Sequence, residues 1–411
     1  MKKVLVLGTG AQGSAASKLL DKDPHVSEIV CADYNMSAVN ELVASLHKAK
    51  GMKVDAHDKS SIVKAGEGCD LILNALPLEC TKNVLDAALD LKTNYQDYAA
   101  TTAFDDDWVE SVRYQYDVYG PKFEAIGKVA LVGSGSAPGL ICCATRDAMK
   151  YLDTCETIIN LCWEGVRPKR FQPFWWSPIT ALNDMSEEAL DVDDGVLHRV
   201  PAYQRPIKRK YDYMPYEVTL VDHCHDEPLH YSFNREEFFK GAKNIYFKYA
   251  GDGIDFCMPL YRAGLLNHDK EKIGDVEVSP FDVIYKHLPP APRFPEEIKA
   301  IIDEGLICDS GAMVAECYGK KDGKDILVEN HIMAPGLVDS FNKSGISAEM
   351  YITGQSGYLF SKLFIEDKFD QSGLISSDML SMDQVDQFFA WAKELDILLE
   401  TRIKEQKYQE G

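Results

Sequence analysis

The residues whose spacing could do chemistry begin at Gly8-Thr9-Gly10-Ala11-Gln12-Gly13, with Asp33 twenty residues after Gly13. Gly8 permits a tight turn, Gly10 lets the backbone approach a pyrophosphate, and Gly13 lets a helix pack closely on a strand. The helix N-terminus that follows, at Ala11 and Gln12, offers unpaired N–H groups and a positive dipole end to the phosphates. A carboxylate at Asp33 would accept from the adenosine ribose hydroxyls and repel a 2′-phosphate, so NAD is favoured, with NADP possible. Hydride chemistry at such a cofactor needs a proton acceptor for the substrate. Two acids qualify: Asp97, at the end of an expected strand, and Glu164, farther along the chain. Arg167 could pair bidentately with a substrate carboxylate. Trp176 and Ser177 offer an aromatic wall, and Tyr98 follows Asp97 directly. His223-Cys224-His225 would put two imidazoles on one strand face, but no further pair with zinc-like spacing accompanies them, so no metal is expected. Cys142-Cys143 has no readable base beside it and reads as buried helix.

The elements that must position these residues follow from apolar runs. Lys3–Leu7 is of strand length and runs straight into the glycines. Small residues and leucines over 14–20 predict a helix against a sheet, and Glu28–Ala32 predicts a second strand ending at Asp33. The alternation continues: strands at 52–54, 71–73 and 93–97, helices at 58–66 and 79–91. Such alternation predicts a doubly wound parallel sheet, in which ligands bind beyond the C-terminal strand ends. That places Asn74, Ala75 and Pro77, with Asp97 and Tyr98, toward the nicotinamide end of the cofactor. Val129–Val132 and Gly133–Gly139 then carry the chain into a second domain.

From Glu156 the pattern changes to strand-like runs among long polar segments, which predicts an inserted α+β domain. The stretch 184–216 reads as loop, 349–352 as strand, 355–364 as helix, and the residues after Met382 as two amphipathic helices with a charged tail. The expected organisation is a Rossmann domain over 1–139, a substrate-binding and dimerisation domain over 140–350, and C-terminal helices over 351–411 that return to the first.

Lys plus Arg number 44 against 65 Asp plus Glu, a formal charge of −21. That balance repels phosphate backbones and anionic lipid surfaces, so neither nucleic acid nor membrane is an expected partner. The 11 cysteines are odd in number, scattered, and without a CxxC pair. Free thiols in a reducing cytoplasm is the reading they support, and the N-terminus lacks a signal-peptide layout.

With these residues in view, the chain resembles the saccharopine dehydrogenase and lysine dehydrogenase family. The resemblance rests on the glycine fingerprint, Asn94-Tyr95-Gln96-Asp97, Ala137-Pro138-Gly139-Leu140, Trp176-Ser177-Pro178 and Lys248-Tyr249-Ala250-Gly251. Gly264-Leu265-Leu266, Lys321-Asp322-Gly323-Lys324, Thr353-Gly354 and Gly373-Leu374-Ile375 extend it in the same order. It implies NAD(P)-linked chemistry at a C–N bond of an amino acid or opine, lysine- or saccharopine-like, and a homodimer. The related carboxyspermidine and carboxynorspermidine dehydrogenases make a polyamine-like substrate the alternative. An NAD(H)-binding redox sensor without turnover is the non-enzymatic one.

Overall fold

The computed structural model describes residues 1–99 and 102–408, so the end of the charged tail lies outside the described residues. By internal contacts the chain forms two units: 1–143 with 352–395, and 144–351 with the residues from 396 onward.

The first unit is built on a seven-stranded sheet. Its strands are β1 (Lys2–Leu7), β2 (Val26–Asp33), β3 (Ala49–Lys53), β4 (Leu71–Asn74), β5 (Asn94–Asp97) and β6 (Val129–Val132), joined by a late strand at Gly373–Ser376. The spatial order is Gly373–Ser376, β6, β5, β4, β1, β2, β3. Every pairing is parallel. The doubly wound sheet is therefore present, and β1 lies at the point where the order reverses. Val4–Leu7 and Ile72–Leu73 are fully buried, as expected where helices cover both faces.

Helix α1 (Ala11–Lys22) packs its small face on the sheet, with Ala15, Ala16 and Ser17 buried. A late helix, Ala348–Ile365, lies close to it from Gly354 on: a Cβ at Gly354 would overlap the Ala15 methyl. The expected strand at 349–352 is instead the start of this helix. Its Met-Tyr-Ile run has β-type residues, but packing of the small-residue face decides the conformation. Buried Gln96 ties the two ends of the unit together. Its amide donates to Ser134 Oγ at 2.9 Å and to the Gly357 carbonyl at 2.8 Å, and its carbonyl accepts from Ser361 Oγ at 2.8 Å.

The second unit is a nine-stranded sheet. Thr154–Glu164 and Asn244–Gly251 run parallel at its centre. Gly311–Lys321 pairs antiparallel with Thr154–Glu164, and Lys324–Met333 with Gly311–Lys321. The mixed sheet with helices is the α+β arrangement expected. Two segments differ from the expectation. Within 184–216, Ala189–Asp193 and Val196–Val200 form a hairpin around Asp194 and Gly195, both with positive φ (49° and 80°). Asp-Gly between alternating residues is a hairpin signal. After the helix Met382–Glu394, Leu398–Glu405 is a strand on the edge of this sheet instead of a second helix. Its alternation, with Leu399 and Thr401 less exposed than Leu398 and Glu400, is that of a half-covered edge.

Candidate active site

In the first unit, the fingerprint residues converge at the C-terminal ends of β1, β2, β4 and β5. Gly8 has φ +91°, and a Cβ there would lie 2.5 Å from the Ala75 carbonyl oxygen. The first loop and the Asn74–Pro77 loop therefore touch only because position 8 has no side chain. A Cβ at Gly13 would overlap the Gly8 carbonyl, so the helix start is pressed against the turn. Gly10 is different: a Cβ there meets nothing within 4 Å. It is the N-cap of α1, with no side-chain cap and no acid in the first turn. Ala11 and Gln12 open this helix. A glycine-lined helix start with the positive end of its dipole and open space at position 10 fits a dinucleotide pyrophosphate.

Asp33 stands beside this loop, half-buried. Its Oδ2 accepts from Thr9 N at 2.7 Å and Thr9 Oγ1 at 3.1 Å, and its Oδ1 accepts from Asn35 N at 2.9 Å. These bonds fix the carboxylate at the mouth of the loop, where remaining lone pairs can meet a ribose diol. Lys53 pairs with Asp33 across the β2/β3 ladder, its Nζ 5.2 Å from the Tyr34 ring centre.

Asn74, Tyr95 and Asp97 form a buried chain. Asn74 Nδ2 donates to Tyr95 Oη at 3.1 Å, and Asn74 Oδ1 accepts from Leu76 N at 3.2 Å. Tyr95 Oη donates to Asp97 Oδ2 at 2.7 Å, while Gly133 N donates to Asp97 Oδ1 at 3.0 Å. Ala75 N donates to the Leu7 carbonyl, and Pro77 leads into a short 3₁₀ turn, Leu78–Cys80. Both Asp97 oxygens thus accept from donors inside the unit, which is the geometry of a group that fixes a loop. Burial and the adjacent Asp97 carboxylate push the Tyr95 phenol far above its usual range, so it stays a donor. Asp97→Asn replaces one acceptor oxygen by a donor facing a donor. The expected result is a loss of about 1–3 kcal/mol in stability, read as a lower urea midpoint. An unchanged midpoint would show that these bonds hold nothing. Tyr98, the next residue, lies against Gly357, where a Cβ would overlap its hydroxyl.

The other candidates lie in the second unit. Glu164 ends its strand half-buried, in register with Gly251, and shares a sheet face with Phe247 and Tyr249. Burial raises its carboxyl above the ordinary range, opposed by a hydrogen bond from Tyr249 and by nearby His225. Burial and then Glu164 push the Tyr249 phenol well up. Arg167 is engaged with Asp252 through Nε, and with Asp255 through Nη2 at 2.6 Å. Trp176 is half-buried, whereas Trp175 belongs to a core cluster with Ile298, Ile301 and Leu337. Ser177 is exposed and caps the helix Pro178–Asp184, accepting from Thr180 N at 3.5 Å.

Sequence reasoning missed how much chemistry gathers around Glu164. His225 lies flat on Phe247, ring centres 3.9 Å apart, and bonds Glu227 through Nδ1. His223 stacks on Tyr249 at 4.8 Å, and burial pushes its imidazole down to about 3. Asp184, raised far above the carboxylate range by burial, faces His225 from the end of the Pro178 helix. The signal available was the alternation of Phe247 and Tyr249, which puts both rings on one strand face; His223 and His225 follow the end of the strand Val218–Asp222. Among the described residues no three His, Cys, Asp or Glu side chains are arranged to hold a metal ion. No described helix is long and apolar enough to cross a membrane.

The sheet order, the glycine cradle and the fixed acid define the first unit as an NAD(P)-binding Rossmann domain. Residues 4–125 match the family model of the saccharopine dehydrogenase NADP binding domain. Over nearly its whole length the fold is similar to that of apo saccharopine dehydrogenase (L-Glu forming) from Saccharomyces cerevisiae. The TM-score is 0.71 at 14% identity, covering 98% of this chain and 100% of that one. A weaker likeness reaches a myo-inositol dehydrogenase from Corynebacterium glutamicum, with TM-score 0.44 and 11% identity over 96% and 94% of the two chains.

Proposed function

We propose that the protein is an NAD(P)-dependent oxidoreductase acting on the C–N bond of an amino acid or opine, lysine- or saccharopine-like. The observation that carries this reading is Glu164: a half-buried carboxyl with a raised proton affinity, hydrogen-bonded to Tyr249, in a chain whose other unit holds a dinucleotide cradle. The kinship of the first unit and the fold of the yeast enzyme support it.

A bound nicotinamide would supply the acceptor for a hydride from the carbon bearing nitrogen. The residues do the rest. The substrate amine must be neutral to release hydride, and Glu164 takes its proton; the resulting imine is then open to water. Tyr249 holds the carboxylate in place. Gly10 and the start of α1 would receive the pyrophosphate, with Asn74, Ala75 and Pro77 shaping the loop beside them. Proton transfer is assigned to Glu164 over Asp97, whose oxygens already accept from Tyr95 and Gly133. Arg167, with Trp176 and Ser177, is the candidate for a substrate carboxylate; it must exchange Asp252 or Asp255 for it. A polyamine-like substrate is the second reading, favoured by the carboxyl groups Glu164, Asp184 and Glu187 gathered in the same unit near His225 and Cys224. A homodimer belongs to this reading, and light scattering on the eluting protein would report the mass of two chains.

The test is reduction of NAD⁺ or NADP⁺ by lysine, saccharopine, other opines and carboxyspermidine at mildly alkaline pH. Turnover with a member of the panel fixes the substrate. Dinucleotide binding without turnover on any amine would leave a sensor, and would sink the oxidoreductase reading.

Asp33 supports NAD(H) as the preferred cofactor, although the matched domain is described by its NADP binding. Asp33→Ser removes the charge facing a 2′-phosphate and leaves Lys53 across the ladder. The expected result is a shift of about tenfold or more in relative affinity toward NADPH, from the loss of about 1–2 kcal/mol of repulsion. Fluorescence titration with NADH and NADPH checks it; an unmoved ratio would remove Asp33 from the cofactor site.

A further inference from the structure

We propose that Leu398–Glu405, the outermost strand of the nine-stranded sheet, pairs antiparallel with the same strand of a second copy about a two-fold axis at Thr401, joining the two sheets into one. The inference rests on the homodimer proposed above and gives that dimer its interface.

Four observations carry it. The first is an open edge. Leu398–Glu405 is held on one side by Lys324–Met333 with no break in register, and among the described residues no strand lies on its other side. Proteins blunt such edges with proline, a bulge or a covering segment. This strand has no proline, no glycine and no bulge, and Leu398 and Ile403 are 44% and 50% exposed. The second is symmetry. A two-fold axis normal to the sheet keeps each face on its own side, and residues opposite one another share a face. Only registers in which one residue meets its own copy are therefore allowed. The third is charge. With Thr401 on the axis, Glu400 stands opposite Arg402 of the second copy, twice, and Leu399 opposite Ile403, twice. Glu400 and Arg402 already meet within one chain, Oε1 to Nε 2.8 Å, so the seam closes four charges of alternating sign. An axis at Glu400 sets glutamate on glutamate, and one at Arg402 sets arginine on arginine. An axis at Ile403 sets Arg402 on Lys404, and one at Leu399 pairs no charges. The formal charge of −21 on each chain opposes association, which leaves the matched register as the one that can form. The opposite edge of the sheet, Val196–Val200, is shorter and offers no acid to its own Arg199. The fourth is a hollow of about 410 Å³ beside the strand, lined by Tyr151, Ile326 and Ile403 with Lys150, Lys321 and Lys324. Leu399 of the second copy arrives opposite Ile403 and brings that wall an apolar neighbour.

The experiment is light scattering on the eluting full chain, with the two charges of the strand exchanged singly and together. Wild type is expected at the mass of two chains. R402E sets glutamate against glutamate twice, and E400R sets arginine against arginine. Each should loosen the dimer about tenfold or more and shift the mass toward one chain. E400R combined with R402E restores opposite signs across the seam and should restore the dimer, which a merely damaged fold would not do. Residues opposite one another in a ladder have Cα atoms about 4.5–5.5 Å apart, within disulfide reach. Oxidised T401C should therefore run as a covalent dimer on a non-reducing gel, and I403C should not. The native cysteines are buried apart from the partly exposed Cys308, so wild type serves as the blank. Should R402E fail to fold, T401C decides alone. A dimer that persists in R402E and E400R, or T401C that forms no covalent dimer, overturns the inference and leaves the homodimer standing. Wild type at the mass of one chain overturns the inference and the homodimer together, while the test of turnover is untouched.

Discussion

Gly10→Ala is expected to weaken dinucleotide binding about tenfold to hundredfold while leaving the melting temperature within about 2 °C of wild type. The reasoning is geometric. An alanine methyl at position 10 meets no protein atom, so the free protein has nothing to relieve. The same methyl occupies the space through which a pyrophosphate would approach the start of α1, at a cost of about 1–3 kcal/mol. Gly13→Ala is the control of opposite character. Its methyl would overlap the Gly8 carbonyl, a backbone atom that cannot turn aside. Stability should fall by about 3 kcal/mol and binding should fall with it. Thermal melts and NADH fluorescence titrations of the two variants separate a ligand contact from a packing contact. Wild-type affinity in Gly10→Ala would mean that the phosphates lie elsewhere.

Glu164→Gln should cut kcat about 10²- to 10⁴-fold with KM little changed, the range expected when a positioned proton acceptor is lost. The pH dependence gives the sharper signature. In the direction of amine oxidation Glu164 must be ionised, so the rate climbs as pH rises through its pKa, which burial places above the ordinary carboxylate range. A carboxamide at this position cannot titrate, and that limb should vanish from the profile of kcat/KM. A variant that keeps the limb would return the proton transfer to another group.

The first unit was legible in the sequence because β1, β2 and β4 are short apolar runs that stop at a candidate site residue. Leu7 precedes Gly8, Ala32 precedes Asp33, and Leu73 precedes Asn74. The candidate cofactor site was legible for the same reason: its residues follow strand ends in order. Glu349–Ile352 was not, because Met350, Tyr351 and Ile352 favour a strand locally while Gly354 and Gly357 admit the neighbours that make it a helix. Leu398–Glu405 was missed because its charges hide the period of two that its edge position requires. The surroundings of Glu164 were illegible for another reason. Asp184, the pair His225 and Glu227, and Tyr249 come from three separate segments, and only the register of Asn244–Gly251 against Thr154–Glu164 brings Tyr249 to the glutamate. That the two histidines lie on aromatic rings was not readable, because those rings are supplied by a different strand.

The strand Gly373–Ser376 completes the first sheet by pairing with β6, and Gln96 bonds the Gly357 carbonyl and the Ser361 hydroxyl. On the ribosome, therefore, the segment made first cannot finish folding first. The nascent chain carries β6 with a bare edge, and a buried glutamine without its partners, until most of the molecule has been translated. Chains released early should seek help from chaperones or pair their open edges with one another. The ability to retain a nucleotide would then act as a quality mark, conferred only on molecules whose synthesis has run past Ser376.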